Sequence, residues 1–192
     1  MSAQQFPKFF LAALVLFFSG CGYYNPYVDQ GYRHISLYHS MWPNHTGEIG
    51  LENVLFQAQA DWLRKSPLIT LTDSASAADY ELTGTIDRFI YPEISFGKFR
   101  EGTQGRAELT VTFAITDKKT GKVVWQRKDR TRKLTFAMTQ SSNQLQTNRQ
   151  AALRKIAGDY GEEIYLFLVG TLMRPEPMPV EPINSYPLEE NP

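Results

Sequence analysis

The chain has 192 residues, 20 Lys and Arg against 20 Asp and Glu, 42% apolar residues and a single cysteine. This charge balance argues against general nucleic-acid binding, which needs a clear basic excess, while leaving room for local anion-binding patches. The length fits one domain after a short leader, enough to bury a core without metals or disulfides.

The first feature is the apolar run over residues 9–18, which ends in Ser19-Gly20-Cys21. A bilayer-spanning helix needs about 20 apolar residues, so this run is too short to span. It suits the apolar region of a secretory signal peptide with small residues at the processing site. Ser19-Gly20-Cys21 resembles a bacterial lipobox, whose cysteine is lipidated and becomes residue one of the mature protein. The departures are a lone leader charge, Lys8, and Phe18 where Leu is usual. An ordinary signal peptide, or a buried segment with a free thiol, is the alternative. Acylation of Cys21 would leave no thiol for a disulfide. The expected organisation is a signal peptide over 1–20, a lipidated N-terminus and linker over 21–33, a domain over 34–172 and a Pro-rich tail over 173–192. No segment after Cys21 is apolar enough to span a membrane.

Residues 34–39 partly alternate and predict a first strand, broken by Trp42-Pro43-Asn44. Leu51, Val54, Leu55, Ala58 and Trp62 recur at helical spacing, with Asn44 or Thr46 as candidate caps and Ser66-Pro67 as the stop. Residues 68–71 are β-prone. Tyr80, Leu82, Gly84 and Ile86 alternate with polar residues, predicting a strand over 80–91. Residues 93–104 read as a hairpin connection. Ala107, Leu109, Val111, Phe113 and Ile115 give the clearest strand, 106–116, and a turn at Asp117–Gly121 leads into a return strand over 122–135. These three predict an antiparallel meander. Leu153, Ile156, Ala157, Tyr160, Ile164, Phe167 and Leu168 mark a second amphipathic helix that starts at Ser141 and ends at Gly170. Gly158 and Gly161 beside that stripe predict close packing against the sheet. From Arg174 the tail has six prolines and no apolar period, and reads as extended and largely disordered. The fold expected is α+β, a two-layer sandwich with two amphipathic helices on one face of a four-stranded mixed sheet.

No catalytic constellation stands out. His34, His39 and His45 lack metal-ligand spacing and read as surface or half-buried side chains, so no metal and no cofactor is expected. There is no nucleophile elbow, P-loop or dinucleotide fingerprint, and Asp79, Glu81 and Asp87 fall on an exposed strand face. The protein is not expected to be an enzyme. The basic run Arg127-Lys128-Asp129-Arg130-Thr131-Arg132-Lys133 is the candidate functional stretch. With Val123 and Trp125 pointing inward, Lys128, Arg130 and Arg132 would line the opposite sheet face. Such a row suits phosphorylated sugars. The plainer reading is pairing with Glu81, Asp87 or Glu108 and protection of a sheet edge.

The order and spacing of several segments resemble the lipopolysaccharide-assembly lipoprotein family LptE, especially its divergent members outside the enteric bacteria. They are Cys21-Gly22-Tyr23, Asn44-His45-Thr46 before Gly50-Leu51-Glu52, residues 77–86, residues 117–125 ending in Trp125, and Asn148-Arg149-Gln150-Ala151-Ala152-Leu153. The resemblance implies a lipid-anchored α+β domain on the periplasmic face of the outer membrane. It also implies a 1:1 plug within the β-barrel LptD, and lipopolysaccharide (LPS) binding during delivery to the surface. Arg100, with Arg130 or Arg132, is the nearest match to the family's LPS-binding positions. Gly22 after the cysteine resembles outer-membrane sorting. The alternative is another envelope interaction lipoprotein, a secretin pilotin or a peptidoglycan-synthase activator of CsgG-like type.

Overall fold

A computed structural model describes residues 31–96 and 102–175. Cys21, Arg100, the leader and residues 176–192 of the tail lie outside the described residues. The elements are β1 (Ile35–His39), α1 (Leu51–Leu63), β2 (Ile69–Thr72), β3 (Tyr80–Ile90), β4 (Glu93–Phe96), β5 (Gly102–Asp117), β6 (Val123–Ala137) and α2 (Ser142–Phe167). A π-helical turn, Leu168–Leu172, follows α2.

The two-layer α+β expectation holds, with both helices on one face of a mixed sheet. The sheet is larger than expected. Among the described residues it has six strands, and β2, β1, β3, β5 and β6 lie side by side. The short β4 continues the line of β3 along the same edge of β5. The residues read as a hairpin connection therefore contribute strand on both sides of the undescribed stretch. β1 pairs in parallel with both β2 and β3, while β3, β5 and β6 form the antiparallel meander.

Alternation places Ala107, Leu109, Val111, Phe113 and Ile115 of β5 under the helices, all essentially inaccessible. Leu37, Leu82 and Ile86 complete the sheet side of the core. From the helices come Leu51, Leu55 and Leu63 of α1, and Leu153, Ile156, Ala157, Tyr160 and Ile164 of α2. The sheet-facing stripe of α1 is Leu51, Leu55, Gln59 and Leu63, whereas Val54, Ala58 and Trp62 turn toward α2 or outward. Trp42 joins the core, stacked on Phe113 at 5.5 Å over the backbone of Gly84. The chain then runs on beside β3, with Asn44 bridging Ile86.

Two start and stop signals act differently from expectation. Asn44 organises the loop, accepting from the Thr46 N–H and donating to the Glu52 carboxylate, and Gly50 at φ 83° begins α1. Gly170 lies inside the π-helical turn, which carries the chain on to the buried Met173. At the start of β3, Asp79 accepts from the backbone N–H and hydroxyl of Ser36 in β1 and pairs with Lys119. Those bonds, the backbone one first, hold its carboxyl down at about 2.

The close approach of Gly161 is to α1, not to the sheet. A Cβ there would stand 2.8 Å from Trp62 Cδ1 and 2.9 Å from the Ala58 carbonyl oxygen. At Gly158 the nearest neighbour is Trp62 Nε1, at an ordinary 3.8 Å. Ala is favoured over Gly inside a helix by about 1 kcal/mol, while overpacking costs about 1–3 kcal/mol. The two glycines should thus respond with opposite signs. Gly158→Ala should raise stability by up to about 1 kcal/mol, and Gly161→Ala should lower it by about 1–2 kcal/mol, measured by urea unfolding.

His39 is buried, contrary to the sequence reading. Its Nε2–H donates to Gln59 Oε1 at 2.7 Å, and its ring stacks on Phe56 at 4.4 Å. Burial, ahead of the nearby Arg64 charge, pushes its pKa below the ordinary 6.5, against the opposing effect of the Gln59 bond. Well above pH 6.5 the ring is neutral in both folded and unfolded chains. As the pH falls below that value the unfolded chain takes up the proton first, so stability declines. Unfolding measured from pH 8 to pH 5 (about neutral to mildly acidic) should show this loss, and His39→Gln should flatten it.

Candidate anion-binding site

The candidate site is built on β6, the outer strand beside β5. The register shifts where Val111 faces Arg130 and Phe113 faces Arg127, leaving Lys128 and Asp129 opposite Thr112 alone. This is a β-bulge, and Asp129 takes the left-handed conformation it needs, at φ 49°. The Asp129 N–H donates to Thr112 Oγ1 at 3.2 Å, and that hydroxyl donates to Asp87 Oδ2 at 2.8 Å. Asp87 lies in a second irregularity, in β3.

An extra residue exchanges the faces of everything beyond it. Arg130 and Arg132 therefore share the helix-bearing face with Trp125 and Arg127, rather than the open face with Lys128. This corrects the predicted row of Lys128, Arg130 and Arg132. A further shift between Ile115 and Thr116 places Val123 across from Thr116, so Val123 is 55% exposed instead of pointing inward with Trp125.

On the helix side the three arginines converge on Glu163 of α2. Arg132 Nη2 approaches Oε2 at 2.5 Å, Arg130 Nε the same oxygen at 3.3 Å, and Arg127 Nε approaches Oε1 at 3.4 Å. Glu163 is only 15% exposed, while the side chains of Arg127 and Arg130 remain 47% and 46% exposed. Three guanidiniums against one carboxylate leave a formal charge of +2, with N–H groups facing solvent. Lys155 and Asp159 pair with each other on α2. Arg127 lies over Trp125, which stacks on Phe167 at 4.3 Å, and Arg132 lies over Tyr160.

Tyr160 closes the site from beneath. Its hydroxyl is 2.8 Å from the Leu109 carbonyl oxygen and 2.6 Å from that of Arg130, so one proton serves two strands beside the bulge. Burial pushes its pKa well above the ordinary tyrosine value. The Nε of Arg132 is buried and has no hydrogen-bond partner among the described residues.

The structure thus joins Arg130 and Arg132 and leaves Lys128 aside. It adds Arg127, already within the basic run, and Glu163, which the sequence reading missed. On the open face, Glu108 pairs with Arg106 and Lys133, and Glu81 pairs with Lys118. Of the basic run, Lys133 thus makes a cross-strand pair with Glu108, whereas Arg130 and Arg132 of the predicted row pair with Glu163 instead. Among the described residues no group of His, Cys, Asp or Glu is placed to hold a metal ion.

A family model described as lipopolysaccharide-assembly, LptE, matches residues 36–168. Rare lipoprotein B from Shewanella oneidensis has a similar fold, with a TM-score of 0.53, 13% identity, and coverage of 71% of this chain and 96% of that one. Protein XCC0632 from Xanthomonas campestris has a TM-score of 0.51 at 13% identity, covering 76% of this chain and 88% of that one. At these identities the likeness is one of fold. No curated protein matches the chain.

Removing the counter-ion should expose the strain in the cluster. Glu163→Gln should cost about 1 kcal/mol, within the range for ion pairs that retain solvent contact. Raising the salt concentration should shrink that difference, because screening relieves repulsion among the three arginines. Paired thermal melts of the two proteins at low and high salt measure it.

Proposed function

The chain belongs to the LptE lipopolysaccharide-assembly family, and on that premise we propose that it works as a non-enzymatic lipoprotein of LPS transport. Acylation of Cys21 holds the domain at the periplasmic face of the outer membrane. There it plugs a β-barrel partner, LptD, supports the assembly of that barrel, and binds LPS on its way to the surface. The family match over residues 36–168 carries this reading.

The arginine cluster supports the LPS-binding part. Lipid A presents phosphates on a disaccharide, and guanidiniums bind phosphate through paired, charge-assisted hydrogen bonds. Arg130 and Arg132 are two residues apart on one strand face, a spacing of about 7 Å. Glu163 gathers the guanidinium groups without neutralising them, leaving an excess of charge for a phosphate. Arg100 is a further candidate on the resemblance alone, and Lys128 sits apart from the cluster. Acyl tethering contributes about 0.8 kcal/mol per buried CH₂ and would keep this surface beside its lipid.

Affinity purification of the tagged lipoprotein from outer membranes should bring a large β-barrel with it in about equal amounts. The combined change Arg127→Ala, Arg130→Ala and Arg132→Ala should weaken LPS binding at least about ten-fold, the loss of 1.4 kcal/mol or more. Lys128→Ala should have a much smaller effect. No barrel in the purification would remove the plug reading. Equal LPS binding by wild type and triple variant would remove the cluster from the site.

A further inference from the structure

The outer surface of the helix layer carries a groove of about 500 Å³ between α1 and α2. Val54, Ala58, Trp62 and Gly158 are its apolar lining, and its charged lining is Lys65, Arg154 and Asp61, the last paired with Arg64. Lys65 lies over the Trp62 ring, which also meets Tyr165, 5.9 Å away between centroids. This surface is separate from the arginine cluster.

We propose that the groove holds the chain's own C-terminal segment, Pro175-Glu176-Pro177-Met178-Pro179-Val180-Glu181-Pro182, laid along α1 as a polyproline strap. This inference is independent of the LPS reading.

The chain leaves the fold at the end where α1 stops. The Met173 carbonyl accepts from the Arg33 N–H at 2.9 Å, and the Leu68 carbonyl accepts from the Ile35 N–H at 3.0 Å. Leu68 in turn donates its N–H to Ser66 Oγ at the end of α1. Pro175 therefore follows at the end of the fold where α1 stops, the end of the groove that carries Lys65. Length agrees. Eight residues in polyproline II extend about 25 Å, and the groove from the level of Asn53 to that of Lys65 is about 18 Å along the helix.

Chemistry agrees as well. Proline-rich segments dock in aromatic-lined grooves, because their extended form is already set and little entropy is lost on binding. Trp62 supplies the aromatic wall, and the absence of a side chain at Gly158 keeps the floor open. After Arg174 the chain has four Glu and no Lys or Arg. Glu176 would enter beside Lys65, and Glu181, about 15 Å further along a polyproline strand, would reach toward Arg154.

Photo-crosslinking in the full-length chain tests this. With p-benzoylphenylalanine replacing Met178, illumination and peptide mapping should give intrachain crosslinks to peptides containing Val54, Ala58 or Gly158. Lys65→Glu with Arg154→Glu should cut the yield about five-fold, what two exposed ion pairs are worth together. Adding Glu176→Lys and Glu181→Lys should restore it, which a merely misfolded variant would not do. Crosslinks elsewhere on the chain, to a second copy or to another protein would overturn the proposal, as would a yield indifferent to the charge reversals.

Discussion

One threonine hydroxyl ties together the two irregularities that decide where this molecule carries its charge. Thr112 Oγ1 accepts from the Asp129 N–H in β6 and donates to the Asp87 carboxylate in β3. Asp87 also accepts from Thr85. The network lies on the open face of the sheet, but its consequence appears on the other face. By accommodating an extra residue at Asp129, it brings Arg130 and Arg132 beneath α2. Tyr160 then uses its hydroxyl on carbonyls of both strands, and Glu163, one turn further along the helix, collects the guanidiniums. An aromatic base of Phe113, Trp125 and Phe167 supports that end of the ridge.

Much of this fold could be read from periodicity. Both helices and the meander follow from apolar spacings of 3.6 and 2, because those elements each bury one face. The strand count was underread: the short runs of β1 and β2 both join the sheet beside β3, and the Glu-Ile-Ser-Phe alternation of β4 spans too few residues to stand out within a connection. Gly161 was visible as an anomaly, but its partner was misjudged. The spacing of a glycine says that something approaches closely, without saying whether it is a helix or a sheet. His39 and Gln59 were illegible for a related reason, as each is a polar residue that becomes acceptable inside only by meeting the other.

The reversal of the basic strand is the most instructive miss. Trp125 and the later apolar residues Leu134 and Phe136 fall on positions of opposite parity. If all three are to face the helices, one residue between them must be extra. That parity change was the available signal, and the run of charge between them concealed it. Glu163 gave no comparable signal, since a carboxylate beside the apolar stripe of a helix usually faces water.

A domain whose core is shared by a mixed sheet and two helices leaves several surfaces for different work. The arginine ridge offers a net positive patch held in shape by a single carboxylate, and the helix groove offers an apolar channel. The placement of the arginines rests on the bulge, and deletion of Asp129 tests it most directly. Deleting a residue within a regular strand turns all later side chains to the wrong face. Here deletion would remove the extra residue and leave Arg130, Arg132, Leu134 and Phe136 facing α2. Equilibrium unfolding of the deleted protein should remain cooperative, with a loss below about 2 kcal/mol for the forfeited Asp129–Thr112 bond and local twist. Collapse of cooperative unfolding on deletion would contradict the account, because it would mean that β6 is a regular strand with its arginines on the open face.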